Sequence, residues 1–133
     1  AGNWAQHAFI DAEAPGNCYR NSITCINSGY NRRCFNDGYH IGHHLVANLH
    51  WTELPVEFKQ NLDAYAREGA IVFEGVDFFI VRFFLMLKRY DWLARCYVPL
   101  DGVERFRDEV IALLKRRTRR IATSPTVAAT AAG

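Results

Sequence analysis

The chain carries a single methionine, Met86, and only four prolines, and Cys18, Cys25, Cys34 and Cys96 form no Cys-x-x-Cys pair. That spacing suggests neither a disulfide framework nor a zinc ribbon, so the thiols read as reduced packing groups. No uncharged apolar run reaches the ~18 residues of a membrane span, so no spanning helix is predicted within the 133 residues. A large excess of one charge is missing as well. Sixteen Lys and Arg against fourteen Asp and Glu leave a net charge of +2, too balanced to define a nucleic-acid or membrane partner by itself. Half of the residues are apolar and 14% aromatic, which excludes disorder along the whole chain and predicts one compact unit. The chain opens Ala-Gly-Asn-Trp in the middle of a helical pattern, and reads as a piece of a longer polypeptide.

Periodicity and stop signals predict a mainly α chain. Residues 1–10 read as the last turns of a helix, closed by Pro15 and Gly16. Residues 19–26 read as a short extended stretch, and a second helix is predicted from a cap at Asn36 or Asp37 to about Leu49. Thr52-Glu53-Leu54-Pro55 starts a third, with Leu54, Phe58, Leu62 and Tyr65 on one face and Gly69 as its stop. From Ala70 to Arg89 the polar residues Glu74, Asp77, Arg82, Lys88 and Arg89 fall within an arc of about 140°, predicting one amphipathic helix. Such a helix suits either a membrane surface or a core with one wet face. A last helix is predicted over 101–120, with Val103, Phe106, Val110, Leu113 and Leu114 inward. It ends in the basic run Lys115, Arg116, Arg117, Arg119 and Arg120, which complements the helix dipole and also suits an anionic membrane leaflet. No aromatic residues interleave with these charges for base stacking, so no nucleic-acid partner is expected. Residues 121–133 collapse to Ala, Thr, Ser, Pro and Gly and are predicted to be disordered.

The densest chemistry lies among the histidines. His40, His43, His44 and His50 fall within eleven residues, and the first three stand at i, i+3 and i+4, on one face of a helix. Protonated imidazoles would repel one another there, and the neutral rings are best held by donating lone pairs to a metal. A zinc protease would read H-E-x-x-H, whereas Ile41 and Gly42 stand between His40 and His43. Imidazole suits iron, copper, nickel and zinc alike, so ligand type does not choose the metal. Adjacent His43 and His44 diverge by about 100° on a helix and could serve two ions side by side. Two ions need more ligands than five histidines supply, so others are expected beyond these residues. Asn36 and Asp37, one turn before His40, read either as helix caps or as groups holding a ligand's free ring N–H. Gly38 and Gly42 clear side chains from around the cluster, either for close backbone approach or merely loosening the helix.

The segment Asn36-Asp37-Gly38-Tyr39-His40-Ile41-Gly42-His43-His44-Leu45, followed by His50-Trp51-Thr52-Glu53-Leu54-Pro55, resembles the last H-x-x-H-H histidine box of the membrane fatty acid desaturases. Asn3-Trp4-Ala5-Gln6-His7 resembles the N-x-x-x-H element that precedes this box in acyl-CoA desaturases, and His7 lies 33 residues before His40. The resemblance covers roughly residues 1–58. It implies that His7, His40, His43 and His44 are ligands of a non-haem centre of two iron ions, with Asn3 acting through a metal-bound water. Front-end desaturases usually carry Gln in place of the box's first His, so His40 argues against that branch. His50 falls outside the family motif and is left as an outer or surface residue.

The resemblance further implies an O2-dependent oxidoreductase that introduces a double bond into an acyl chain. Its partners would be earlier histidine boxes and transmembrane helices in a preceding portion, an acyl lipid or acyl-CoA substrate, the membrane, and a b-type cytochrome or a ferredoxin as electron donor. The chain would then be the cytosol-facing C-terminal portion of a protein of the endoplasmic reticulum or bacterial inner membrane, inactive alone. Its organisation is expected as a metal-binding segment over 1–58, amphipathic capping or membrane-surface helices over 59–100, a basic helix over 101–120 and the tail. A lipid hydroxylase or ketolase with the same boxes is the nearest alternative. A metal-free module whose histidines form a pH-sensitive binding face is the alternative from another class.

Overall fold

The computed structural model describes residues 2–118, with side chains from Trp4 onward. The predicted tail over 121–133, together with Arg119 and Arg120, lies outside the described residues. Nine short helices and two strands make up the described part: α1 (Gly2–Gln6), α2 (Cys18–Asn21), β1 (Ile23–Ile26), α3 (Gly29–Arg33), α4 (His40–Leu45), α5 (Leu54–Gln60), α6 (Leu62–Arg67), β2 (Ile71–Glu74), α7 (Phe78–Met86), α8 (Tyr90–Cys96) and α9 (Arg107–Arg117). The mainly helical expectation holds, around a parallel two-stranded ribbon that pairs Ile23 with Ile71 and Cys25 with Phe73.

That ribbon corrects the helix predicted over 70–89. Ile71, Val72 and Phe73 are all buried, as a parallel strand covered on both faces demands, and the β-branched pair favours the extended backbone. Gly75 then turns the chain at φ 75°, a region that L side chains avoid. The Asp77 carboxylate accepts from the amides of Phe79 and Ile80 at 2.9 and 3.0 Å, so Asp77 caps the start of α7 instead of lying within a longer helix. The polar arc was a by-product of joining a strand to a capped helix.

Other boundaries shift for local reasons. The helix expected from residue 36 to 49 shrinks to α4, because Phe35 and Asn36 hold left-handed φ of 50° and 54° just before it. The helix starting at Leu54 breaks at Asn61, whose side-chain amide donates to the Glu57 carbonyl at 3.0 Å and competes with the backbone ladder. The last helix begins only at Arg107; Val110 and Leu114 face inward as expected, but Val103 and Phe106 are exposed.

Two apolar clusters flank the ribbon. One gathers Phe9, Ile23, Cys25, Phe73, Phe78, Val81, Leu93, Val110 and Leu114, drawing on both ends of the chain. The other joins Tyr39, Ile41, Leu54, Phe58, Tyr65 and Val72, and α4 rests on it.

Candidate metal centre

Helix α4 is brought to the ribbon by a buried amide. Asn31 donates to the Cys25 carbonyl at 2.9 Å and accepts from the Gly38 amide at 2.9 Å, while the Cys25 amide donates to the Gly38 carbonyl at 2.8 Å. Gly38 sits so close that a Cβ there would collide with the Asn31 side chain and the Cys25 carbonyl oxygen. Gly42 is similarly pressed, its missing Cβ site lying 2.7 Å from a carboxylate oxygen of Glu57. That oxygen accepts from the Tyr65 hydroxyl at 3.0 Å. Of the two uses open to these glycines, close approach is the one observed.

With α4 so placed, His40 and His44 project together toward His7, in the turn after α1. Nε2 of His40 lies 3.4 Å from Nε2 of His7 and 3.1 Å from Nε2 of His44. Ligating nitrogens of the three rings all lie within 4.8 Å of one another. The rings meet edge to face, with centroids 4.6–5.2 Å apart. Two imidazoles that share an ion at about 2.1 Å stand roughly 3.0–3.4 Å apart for bond angles of 90–110°. The shortest separations match that span.

The outer nitrogens decide which lone pairs face inward. His7 Nδ1 lies 2.9 Å from the carbonyl oxygen of Asn21, which can only accept, so Nδ1 carries the proton and Nε2 offers its lone pair to the cluster. His40 is 8% exposed, and its Nδ1 is buried without a hydrogen bond, 3.9 Å from a carboxylate oxygen of Asp37. The other oxygen of Asp37 accepts from Gln6 Nε2 at 3.0 Å and the Tyr30 hydroxyl at 2.9 Å, and this acceptor role raises the Tyr30 pKa beyond what burial does. Burial, reinforced by repulsion from His44, His7 and His43, pushes the His40 pKa down to about 3, and burial with His7 and His43 lowers that of His44. Three ring nitrogens this close, with the His7 lone pair turned inward and burial holding His40 and His44 neutral, suit a cation between them, and the donor set fits a transition metal.

His43 does not join this group. Its ring centroid lies 6.1 and 6.3 Å from those of His40 and His44, and it lines a groove of about 690 Å³ with Phe35, Leu49, His50, Trp51 and Leu54. His50 bonds the Thr52 hydroxyl at 2.8 Å through Nδ1, and Asn36 donates to the Trp51 carbonyl at 3.0 Å. Asn36 therefore braces this groove, and neither it nor Asp37 caps α4, whose N-cap is Tyr39. The side chain of Asn3 lies outside the described residues.

In the basic patch, Lys115 and Arg116 are exposed, Lys115 standing 5.8 Å over the Tyr90 ring. Arg117 corrects the expectation of a surface cation. It is buried, donating from Nε to the Ile10 carbonyl at 3.1 Å and from Nη2 to the Arg20 carbonyl, and desolvation lowers its pKa. Sequence reasoning also missed Gln6, Asn21, Tyr30, Asn31 and Glu57. Gln6 and Asn21 meet partners 31 and 14 residues away, while Tyr30, Asn31 and Glu57 meet theirs six to eight residues away across turns, and the motif spacing carries no mark of either kind.

The family model for fatty acid desaturases matches residues 1–76, more than half of the chain, and spans His7, His40, His43 and His44. The chain belongs to the fatty acid desaturase family. No curated protein and no solved structure matches it. The family span runs past residue 58 and takes in β2, so it includes both strands that hold α4 in place. Membership assigns an oxidoreductase of the desaturase and hydroxylase type, working in lipid metabolism, from a membrane-associated family that uses iron. Among the described residues of this desaturase-family chain, no helix is long and apolar enough to cross a membrane.

Proposed function

We propose that this chain supplies His7, His40, His43 and His44, with Asn3 through a water, to the two-iron centre of an O2-dependent fatty acid desaturase. The observation that carries the reading is the convergence of three ring nitrogens, with His7 turned inward by the Asn21 carbonyl. Bound iron would activate O2, the oxidant needed to remove hydrogens from unactivated methylenes, which no acid or base side chain can do. The residues present do the positioning. Asn21 selects the His7 tautomer, Asp37 faces the outer nitrogen of His40, and burial keeps His40 neutral and ready to ligate at ordinary pH. His43, one residue before His44 and turned toward the groove, suits the second ion. The groove walls of Leu49, Trp51 and Leu54 beside His43 suit an acyl chain.

The remaining ligands and transmembrane helices come from a preceding portion of the protein, and electrons from a b-type cytochrome or a ferredoxin. The membrane is the endoplasmic reticulum or a bacterial inner membrane, with this portion on the cytosolic side. The test is the complete protein purified with its reductase and given a saturated acyl substrate. Expected are stoichiometric iron and a product with a new double bond, both lost in His44→Ala. A hydroxylated product would transfer the chain to the sibling hydroxylases, and unchanged metal content in His44→Ala would overturn the metal assignment.

A further inference from the structure

We propose that Arg117, at the end of α9, is a positioning residue for the metal ligand His7, acting through the backbone around Asn21. The inference rests on the metal reading above, but it concerns a residue well outside the matched span of 1–76.

The geometry forms a closed ring of contacts. Nε of Arg117 donates to the Ile10 carbonyl at 3.1 Å, and the Ile10 amide donates back to the Arg117 carbonyl at 2.9 Å. Nη2 of the same guanidinium donates to the carbonyl of Arg20, the residue before Asn21. The Asn21 carbonyl accepts from His7 Nδ1 at 2.9 Å, and the Asn21 side-chain oxygen accepts from the Asp11 amide at 2.9 Å. Arg117 thus grips the chain three residues after His7 and one residue before the atom that orients its ring.

A side chain serving only to close the core would not need this chemistry. Arg117 is 9% exposed, and among the described residues its donors go to main-chain carbonyls rather than to a carboxylate. An apolar residue of similar volume would fill the space without desolvating a cation. The fork of a guanidinium reaches two carbonyls from separate segments at once and fixes their spacing, which a single ammonium does less well. If the Arg20 carbonyl drifts, the adjoining peptide that carries the Asn21 carbonyl drifts with it, His7 Nδ1–H loses its acceptor, the tautomer is no longer selected, and the inward lone pair is present only part of the time. Loss of such an outer contact typically weakens metal binding about 10–100-fold.

The test uses the intact protein, metal-free and then titrated with Co2+, in wild type, Arg117→Met, Arg117→Lys and Leu114→Ala. Leu114 is fully buried on the same helix but holds no carbonyl, so its variant reports loosening alone. Arg117→Met is expected to bind Co2+ about tenfold more weakly than wild type, Arg117→Lys to fall between them, and Leu114→Ala to keep the wild-type affinity despite a lower melting temperature. In the metal-free protein, the 15N shifts of His7 should move from an Nδ1–H form toward a tautomer mixture in Arg117→Met and stay put in Leu114→Ala. Wild-type affinity in Arg117→Met, or equal weakening in Leu114→Ala, overturns the proposal. Should Arg117→Met fail to fold, Arg117→Lys against Leu114→Ala decides by the same criterion. Absence of Co2+ binding in wild type would remove the metal reading, and the His7 tautomer would still decide whether Arg117 orients the ring.

Discussion

Residues 4–76 and 77–118 bury different things. The first stretch holds the buried polar side chains Gln6, Ser22, Thr24, Ser28, Asn31 and His40, while in the second Arg117 alone among the described residues is buried and charged. The second stretch gathers Phe79, Phe83 and Met86 of α7, with Leu87 just after it, as neighbouring side chains more than half exposed, while Val81, Leu93, Val110 and Leu114 seal the core beside Ile23 and Phe73. The two stretches therefore use their apolar residues differently. Around the histidines, packing supports hydrogen bonds that aim ring nitrogens. Over α7 to α9 it covers one side of the ribbon, and on the outer side of α7 Phe79 and Phe83 touch only the partly buried rings of Tyr30 and Phe84 among the ring contacts of the described residues.

That contrast can be broken most directly at the cluster. His40→Ala removes the ring shared by both short nitrogen contacts, and metal affinity in the complete protein should fall by on the order of 1,000-fold, beyond the roughly 10–100-fold of outer residues. Metal analysis after dialysis checks this, and iron retained at wild-type stoichiometry would contradict it.

Acid should act on the same place in the metal-free protein. An unfolded imidazole titrates near 6.5, whereas His40 in the fold is held down to about 3, so between these values the unfolded chain binds the extra proton. The contribution is full above about pH 6.5 and is lost as pH falls toward 3, by on the order of 2–3 kcal/mol because neighbouring rings share the titration. Denaturant midpoints across that range should flatten in His40→Leu.

Gly38→Ala tests the packing that holds α4. Its methyl would meet Asn31 and the Cys25 carbonyl, costing about 2 kcal/mol in a denaturant melt. Asp37→Asn keeps the shape but removes the charge facing His40, and should weaken metal binding about tenfold with little loss of fold stability. Smallest is Phe83→Ser on the outer face of α7, where Phe83 is 57% exposed; stability should stay within about 0.5 kcal/mol. A loss of several kcal/mol there would mean that both stretches are equally closed.

Much of the site was legible in the chain because its spacing is local. The i, i+4 pair His40 and His44 meets by helix geometry alone. His43 was less legible, since an i+3 residue on a helix of six residues ends where the groove and the Trp51 loop place it. The run from Ala70 to Arg89 misled because its period fits a helix. Gly75 and the β-branched pair Ile71 and Val72 mark the strand that interrupts it.

By itself the sequence determined the chemistry on offer: imidazoles at helical spacing, an earlier His7 at family distance, and enough apolar residues to enclose them. Only the tertiary structure decided that His7 meets His40 and His44, that Asn21 stands behind His7, which of its two readings Asp37 takes, and that Arg117 turns inward from a basic run. The physical reason is range. Helical spacing is set by bonds within a few residues, whereas the His7 tautomer is settled by an acceptor 14 residues on, and the buried guanidinium by carbonyls 107 and 97 residues away.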